Sequence, residues 1–268
     1  MPEFFNNIFT FFKEVYAFFD TIIFRQGIVG TYVYNNLDEQ PNLMILGVAS
    51  IIFMLVAGYL LGSINFAIII SKKIFHEDIR TLGSKNAGMT NMMRNYGKKA
   101  AAMTLLGDML KAIIACMIGY AIGGQGGAWL AGMASVFGHV FPIFYKFKGG
   151  KGVVTALMTM MMCDFATFII MMVLFVTIVA TTKYLSLGSI MIFAMGPFIH
   201  NGLFVFSEKI NHPENPQPVS DFVLIALVFS MLIVLKHSGN IKRLLDHTES
   251  KFSFKKSVKP PAKDAENE

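Results

Sequence analysis

Charge is missing where a soluble protein would carry it. Only 15% of the 268 residues are Asp, Glu, Lys or Arg, and none of those from Leu43 to Ile70 is. That run exceeds the roughly 20 apolar residues a membrane helix needs, which excludes a wholly soluble fold. Cysteine is equally scarce. Cys116 and Cys163 lie inside apolar segments without metal-ligand spacing, and two cysteines cannot build a disulfide framework, so both are read as reduced packing residues. Neither a metal site nor a cofactor is expected. The start of the chain lacks the basic stretch, apolar core and small-residue cleavage site of a signal peptide, which leaves targeting to the spans themselves. There is no repeat with a period of roughly 20 to 50 residues, and no matched pair of interrupted spans of the kind transporters built from inverted repeats show.

What is present is apolar: 54% of the residues are hydrophobic. The net charge of +6 does not point to nucleic acid, because the bases flank apolar spans instead of forming a patch on a soluble fold. In residues 4–23 bulky apolar side chains recur every three to four positions with Lys13, Glu14 and Asp20 between them. That spacing predicts an amphipathic helix lying in the membrane interface. After the first span, further spans are expected over 100–123, 129–147, 152–163, 165–182, 184–206 and 219–235. Segments 71–99 and 236–268 carry seven and eight Lys/Arg. Such excess marks the cytoplasmic side, so an even number of crossings must separate them. Breaking 152–182 at Asp164 supplies it. The expected architecture is an all-α integral membrane protein of about seven transmembrane helices, N-terminus outside and C-terminus cytoplasmic. It divides into an N-terminal extension (1–42), a membrane domain (43–250) and a basic, polar, disordered tail (251–268).

Three polar clusters carry the chemistry. In the first, 78–94, Gly83 and Gly88 allow close backbone approach, Ser84, Asn86, Thr90 and Asn91 offer small donors, and Arg94 offers a forked cation. These are the parts of a phosphate site, although a basic connector on anionic headgroups would also contain lysine and arginine. In the second, Gly138 to Gly152, Lys146, Lys148 and Lys151 interleave with Gly149, Gly150 and Gly152. Successive glycine N–H groups followed by a helix N-terminus would suit an anion. The run is not a nucleotide-binding P-loop, because Val153 stands where Ser or Thr is required. His139 in this stretch is read as a histidine satisfied within the bundle. In the third, 236–249, a continuing helix puts His237 and Asn240 on one face, three residues apart; an ordinary basic span end with snorkelling lysines is the competing reading. Asp108 and Lys111, also three apart, are read as an ion pair holding the bundle together.

In order along residues 50–250, these stretches resemble the motifs of the bacterial acyl-phosphate:glycerol-3-phosphate acyltransferase family. The match runs through Gly62-Ser63, the Gly-Ser-x-Asn-x-Gly-x-Thr-Asn-x-x-Arg stretch ending at Arg94, Gly-Asp108-Met-Leu-Lys111, Gly-His139-Val-Phe-Pro142, Lys148-Gly-Gly-Lys-Gly152, and Asn240-Ile-Lys-Arg243 followed by Glu249. The resemblance implies a seven-helix fold and transfer of a fatty acyl group from acyl phosphate to the 1-hydroxyl of glycerol 3-phosphate. It marks Ser84, Arg94, His237 and Asn240 as the critical polar residues and Gly149 to Gly152 as the acyl-phosphate loop, with Arg243 also at the substrate. Four positions depart from the family pattern: Asn65 for the usual proline, Met89 for alanine, Ser238 for arginine and His247 for glycine. An acyl phosphate is already activated, so the chemistry asks mainly for two phosphates held, a hydroxyl aligned and charge stabilised. None of the six histidines is followed five residues later by aspartate, which argues against the coenzyme A dependent acyltransferases. A transporter for a small phosphorylated solute and a lipid-binding scaffold remain the competing functions.

Overall fold

The computed structural model describes residues 27–36, 43–215 and 217–252. The amphipathic helix expected over 4–23 and nearly all of the polar tail lie outside those residues. Among the described residues every regular element is helical: α1 (Ile28–Asn36), α2 (Leu43–Ser63), α3 (Phe66–Ile74), α4 (Met89–Tyr96), α5 (Lys98–Val140), α6 (Val153–Cys163), α7 (Phe165–Thr182), α8 (Leu185–Asn211), α9 (Val223–Lys236) and α10 (Ser238–Leu245), with short 3₁₀ turns at Ile79–Thr81 and Ile143–Tyr145. Four stretches are long and apolar enough to cross a membrane, five if the bent pair α9 and α10 counts as one.

One boundary differs from the sequence reading. The uncharged run ending at Ile70 is not one helix, because Asn65 stops it and caps α3, its side-chain oxygen accepting the Ile68 N–H at 3.1 Å. An uncharged amide is invisible to a count of charges yet competes strongly for backbone donors. The stretches expected as separate spans at 100–123 and 129–147 correspond to two legs of α5, parted at Gly123 and Gly124 (φ 61°), where the helical geometry fails. The break at Asp164 lies where charge parity requires it. Asp164 caps α7 through the Thr167 N–H at 3.0 Å. The resulting α6 has only 11 residues, about 16 Å at helical rise, short against a hydrocarbon core of roughly 30 Å.

The long α5 organises the bundle. Gly58 and Gly62 of α2 lie against the backbone of Ala131 and Ser135 on its second leg, where a Cβ would collide. Small residues four apart let membrane helices approach this closely when no hydrophobic force favours helix over lipid. The principal core lies between α5, α6, α7, α8 and α9 around Trp129, Met160, Ile192, Phe229 and Ile233, and includes both free cysteines. Tracing the chain back and forth brings 64–97, 140–152, 183–186 and 237–249 to one end of the bundle. The turn at Gly123–Gly124, Asp164 and the segment before α9 occupy the other.

Candidate active site

The first cluster folds around one side chain. Asn91 is 1% exposed, its amide N–H₂ facing the carbonyls of Ile79, Leu82 and Asn86 at 3.0–3.1 Å. Its oxygen accepts the Ser84 N–H at 3.1 Å and the Asn95 amide at 3.1 Å. It is thereby committed to the loop, and the substrate role expected for it has no donor left to supply. Ser84 is exposed, while Asn86, Thr90 and Arg94 are half-buried on the surface Asn91 shapes.

Arg80 fastens this loop to the second cluster. Its guanidinium grips both oxygens of Asp78 at 2.7 and 2.9 Å and donates to the carbonyls of Tyr145 and Lys148 at 2.9 and 3.1 Å. The Arg80 hydrogen bond outweighs desolvation and holds the Asp78 carboxyl well below the usual range. The aspartate–arginine spacing stands in the sequence, but its partners are backbone carbonyls some 65 residues away, which no local pattern announces.

The second cluster departs from expectation. The N–H groups of Gly149 and Gly150 donate to the carbonyls of Val140 and His139, at 3.3 and 3.1 Å. They pack the loop onto the end of α5 and do not face an anion. Beyond them, Gly152 (φ 83°) turns the chain into α6. Lys146 and Lys148 are exposed, whereas Lys151 turns inward and reaches Asn240 Oδ1 at 2.5 Å. Desolvation lowers the Lys151 ammonium to about 8, against the pull of Glu249 and with help from the charges of Arg243 and Arg94. Those interactions bring one cation from each cluster into a common field.

The third cluster closes on Glu249. One carboxylate oxygen accepts from Asn240 and Ser186, both at 2.7 Å, and the other from Arg243 at 2.7 Å. Burial would raise this carboxyl, but these donors together hold it below its ordinary value. Glu249 and Ser186 received no role from sequence reasoning. The only available signal was Glu249 at the end of the third motif, and Ser186 lies 63 residues away. His237 is 2% exposed at the bend between α9 and α10, with Nδ1 2.7 Å from the Ile233 carbonyl. A carbonyl only accepts, so the proton sits on Nδ1 and Nε2 carries the lone pair.

Comparison with known proteins identifies the family. The family model for glycerol-3-phosphate acyltransferase matches residues 52–247. The chain belongs to that family. The acyltransferase is 39% identical over 204 residues to the glycerol-3-phosphate acyltransferase of Thermoanaerobacter sp. strain X514, covering 76% of this chain and 96% of that one. It is 37% identical to the Clostridioides difficile protein of the same name, covering 77% and 98%. Among solved structures it resembles PlsY, an integral membrane glycerol 3-phosphate acyltransferase, in its glycerol 3-phosphate form, with a TM-score of 0.65 and 33% identity over 76% of this chain and 96% of that one. Two departures from the family pattern have local explanations. Asn65 replaces a helix-starting proline with a side-chain cap, and its amide also reaches the Ala87 carbonyl at 3.5 Å. His247 holds φ at 54°, a conformation glycine adopts without strain. Nothing in the structure explains Met89 or Ser238.

Proposed function

We propose that the enzyme transfers a fatty acyl group from acyl phosphate to the 1-hydroxyl of sn-glycerol 3-phosphate, giving lysophosphatidic acid and inorganic phosphate. The observation that carries the reading is the Lys151–Asn240 contact, which joins the second and third clusters across 89 residues and puts His237, Arg243 and Arg94 around one cation. Arg94, Lys151 and Arg243 hold substrate phosphate, with Ser84, Asn86, Thr90 and the α6 N-terminus as neutral donors. His237 Nε2 accepts from the neighbouring 2-hydroxyl of glycerol 3-phosphate, which orients the 1-hydroxyl for attack on the acyl carbonyl and leaves its proton facing the acyl phosphate. As the carbon–oxygen bond to phosphate breaks, the departing phosphate takes the hydroxyl proton, since phosphate monoesters have a second pKa near 6. Purified protein in detergent should form lysophosphatidic acid and phosphate in equal amounts from the two substrates, and none from acyl coenzyme A. A carrier for a phosphorylated solute would form no product.

The site is read as facing the cytoplasm of a bacterial cell membrane. Counting the two legs of α5 separately and α6 as a crossing gives seven spans, with the N-terminus outside and 1–42 as an extension. The basic residues of 71–99 and 236–268 then share the cytoplasmic side. A cysteine placed at Ser257 should react with an impermeant thiol reagent only after the membrane is breached. Labelling in intact cells would reverse the orientation.

A further inference from the structure

Beneath the two substrate loops lies a buried charge cluster that the reaction as described does not use. Lys111 on the first leg of α5 is 3% exposed, and its Nζ lies 3.0 Å from the Gly62 carbonyl, 2.8 Å from the Ile64 carbonyl, 2.8 Å from His139 Nδ1 and 2.9 Å from Asp108 Oδ1. An ammonium has three N–H bonds. Asp108 Oδ1 makes no well-directed hydrogen bond despite its proximity, so the three protons go to the two carbonyls and His139, and Asp108 acts as counter-charge. The carbonyls belong to the end of α2, where helical partners run out and water is scarce. Because Lys111 donates to Nδ1, the His139 proton is on Nε2.

Two partners of Lys111 lead to a substrate loop. His139 Nε2 lies beneath Gly150: a Cβ there would collide with that nitrogen and would come within 2.6 Å of the Ala87 carbonyl of the first cluster. The His139 carbonyl accepts the Gly150 N–H at 3.1 Å. On the other side, Ile64 adjoins Asn65, whose amide reaches the same Ala87 carbonyl. Both paths from Lys111 therefore meet at the place where Gly150 and Ala87 touch, one residue before Lys151.

We infer that Asp108, Lys111 and His139 are positioning residues that set the glycine–lysine loop against the first loop, so that the site binds acyl phosphate in the aligned geometry. This rests on the acyl-phosphate reading above. An ion pair serving only to hold helices together would affect stability alone. A positioning cluster also governs how Lys151 is presented.

Two variants test it: His139→Gln, which removes no permanent charge, and the charge-neutral pair Asp108→Asn with Lys111→Met, which avoids an orphaned buried ion. Each is measured for melting temperature, for KM and kcat separately, and for the alkaline limb of kcat/KM. The folded variants should show a KM for acyl phosphate raised about tenfold or more with kcat less affected, and an alkaline limb moved toward higher pH as the loop relaxes and Lys151 regains water. A folded variant with the wild-type KM and alkaline limb would overturn the inference, whatever its melting temperature. If neither variant is recovered folded, Gly150→Ala decides, since it leaves the cluster whole but pushes the loop off His139. It should give the same rise in KM, and a wild-type KM would overturn the inference. Lack of turnover by the wild-type protein would instead refute the acyl-phosphate reading itself, so the two failures are distinguishable.

Discussion

The two ends of the bundle each contain a polar network joining distant segments, and they are built differently. At the far end Asp164 accepts from Thr167 and lies 2.6 Å from His200 Nδ1, while His200 Nε2 is 2.9 Å from Ser220 Oγ. Ser220 Oγ accepts the Phe222 N–H at 3.2 Å, and the Ser220 N–H donates to Asn201 at 2.9 Å. One assignment of protons satisfies this chain: Nδ1–H to Asp164 and the Ser220 hydroxyl to Nε2. Trp129 packs edge-on against the ring of His200. It is a closed latch between α7, α8 and the segment entering α9. At the loop end, His237 has only its Nδ1 engaged among the described residues, and Lys151 donates to Asn240 with further protons to give. Both networks contain a histidine, a carboxylate, a serine and an asparagine, and the loop end adds the cations Lys151 and Arg243. What distinguishes a site from a latch is the hydrogen-bonding capacity left over once the fold is made.

The largest effect that would sharpen this contrast is expected from Arg94→Ala. Charge-assisted hydrogen bonds to phosphate contribute roughly 1.5–3 kcal/mol, so kcat/KM should fall by about one to two decades, and Arg94→Lys should recover little because the fork is lost. Wild-type activity would remove Arg94 from the site. At the latch, Asp164→Ala removes a helix cap and leaves His200 Nδ1 without its partner, which should lower stability by about 2–4 kcal/mol. Activity per folded molecule should stay within about twofold. A large loss of kcat in folded protein would break the contrast.

Smaller effects lie within the loop-end network. Glu249→Gln weakens the hold on Arg243 and Asn240 and should reduce kcat/KM about tenfold, measured beside an unchanged melting profile. The mildest concerns pH. With its ammonium lowered to about 8, Lys151 is charged below that pH and neutral above it. The KM for phosphate-bearing substrate should therefore rise about threefold between about pH 7.5 and 8.5. Lys151→Arg should flatten that limb, because a guanidinium stays charged.

Much of this end of the molecule was legible in the sequence. Glycines, small polar residues and bases cluster at three places, and the parity of basic segments located the break at Asp164. Hydrogen-bond partners were not legible. Asn91 reads as a donor for substrate, yet its amide sits among three backbone carbonyls. Gly149 and Gly150 read as an anion nest, yet their N–H groups bond the end of α5. Composition shows that a group can donate, while only the fold shows whether something inside the chain has already taken the bond. Asn65 hid for a related reason: an uncharged residue leaves an apolar run intact by charge count while its side chain ends the helix.

The central claim, that the loop-end network acts on substrate and the far-end network only supports the fold, is tested most directly by one paired measurement. His237→Gln and His200→Gln are assayed side by side for kcat, KM and melting temperature. The account predicts that His237→Gln melts near wild type and loses activity mainly through KM for glycerol 3-phosphate, while His200→Gln melts lower and keeps the kcat and KM of the folded enzyme. A collapse of kcat by several decades in His237→Gln with glycerol 3-phosphate still bound would make His237 the base and contradict proton transfer to the departing phosphate. Loss of turnover in stably folded His200→Gln, with His237→Gln fully active, would contradict the assignment of the two ends altogether.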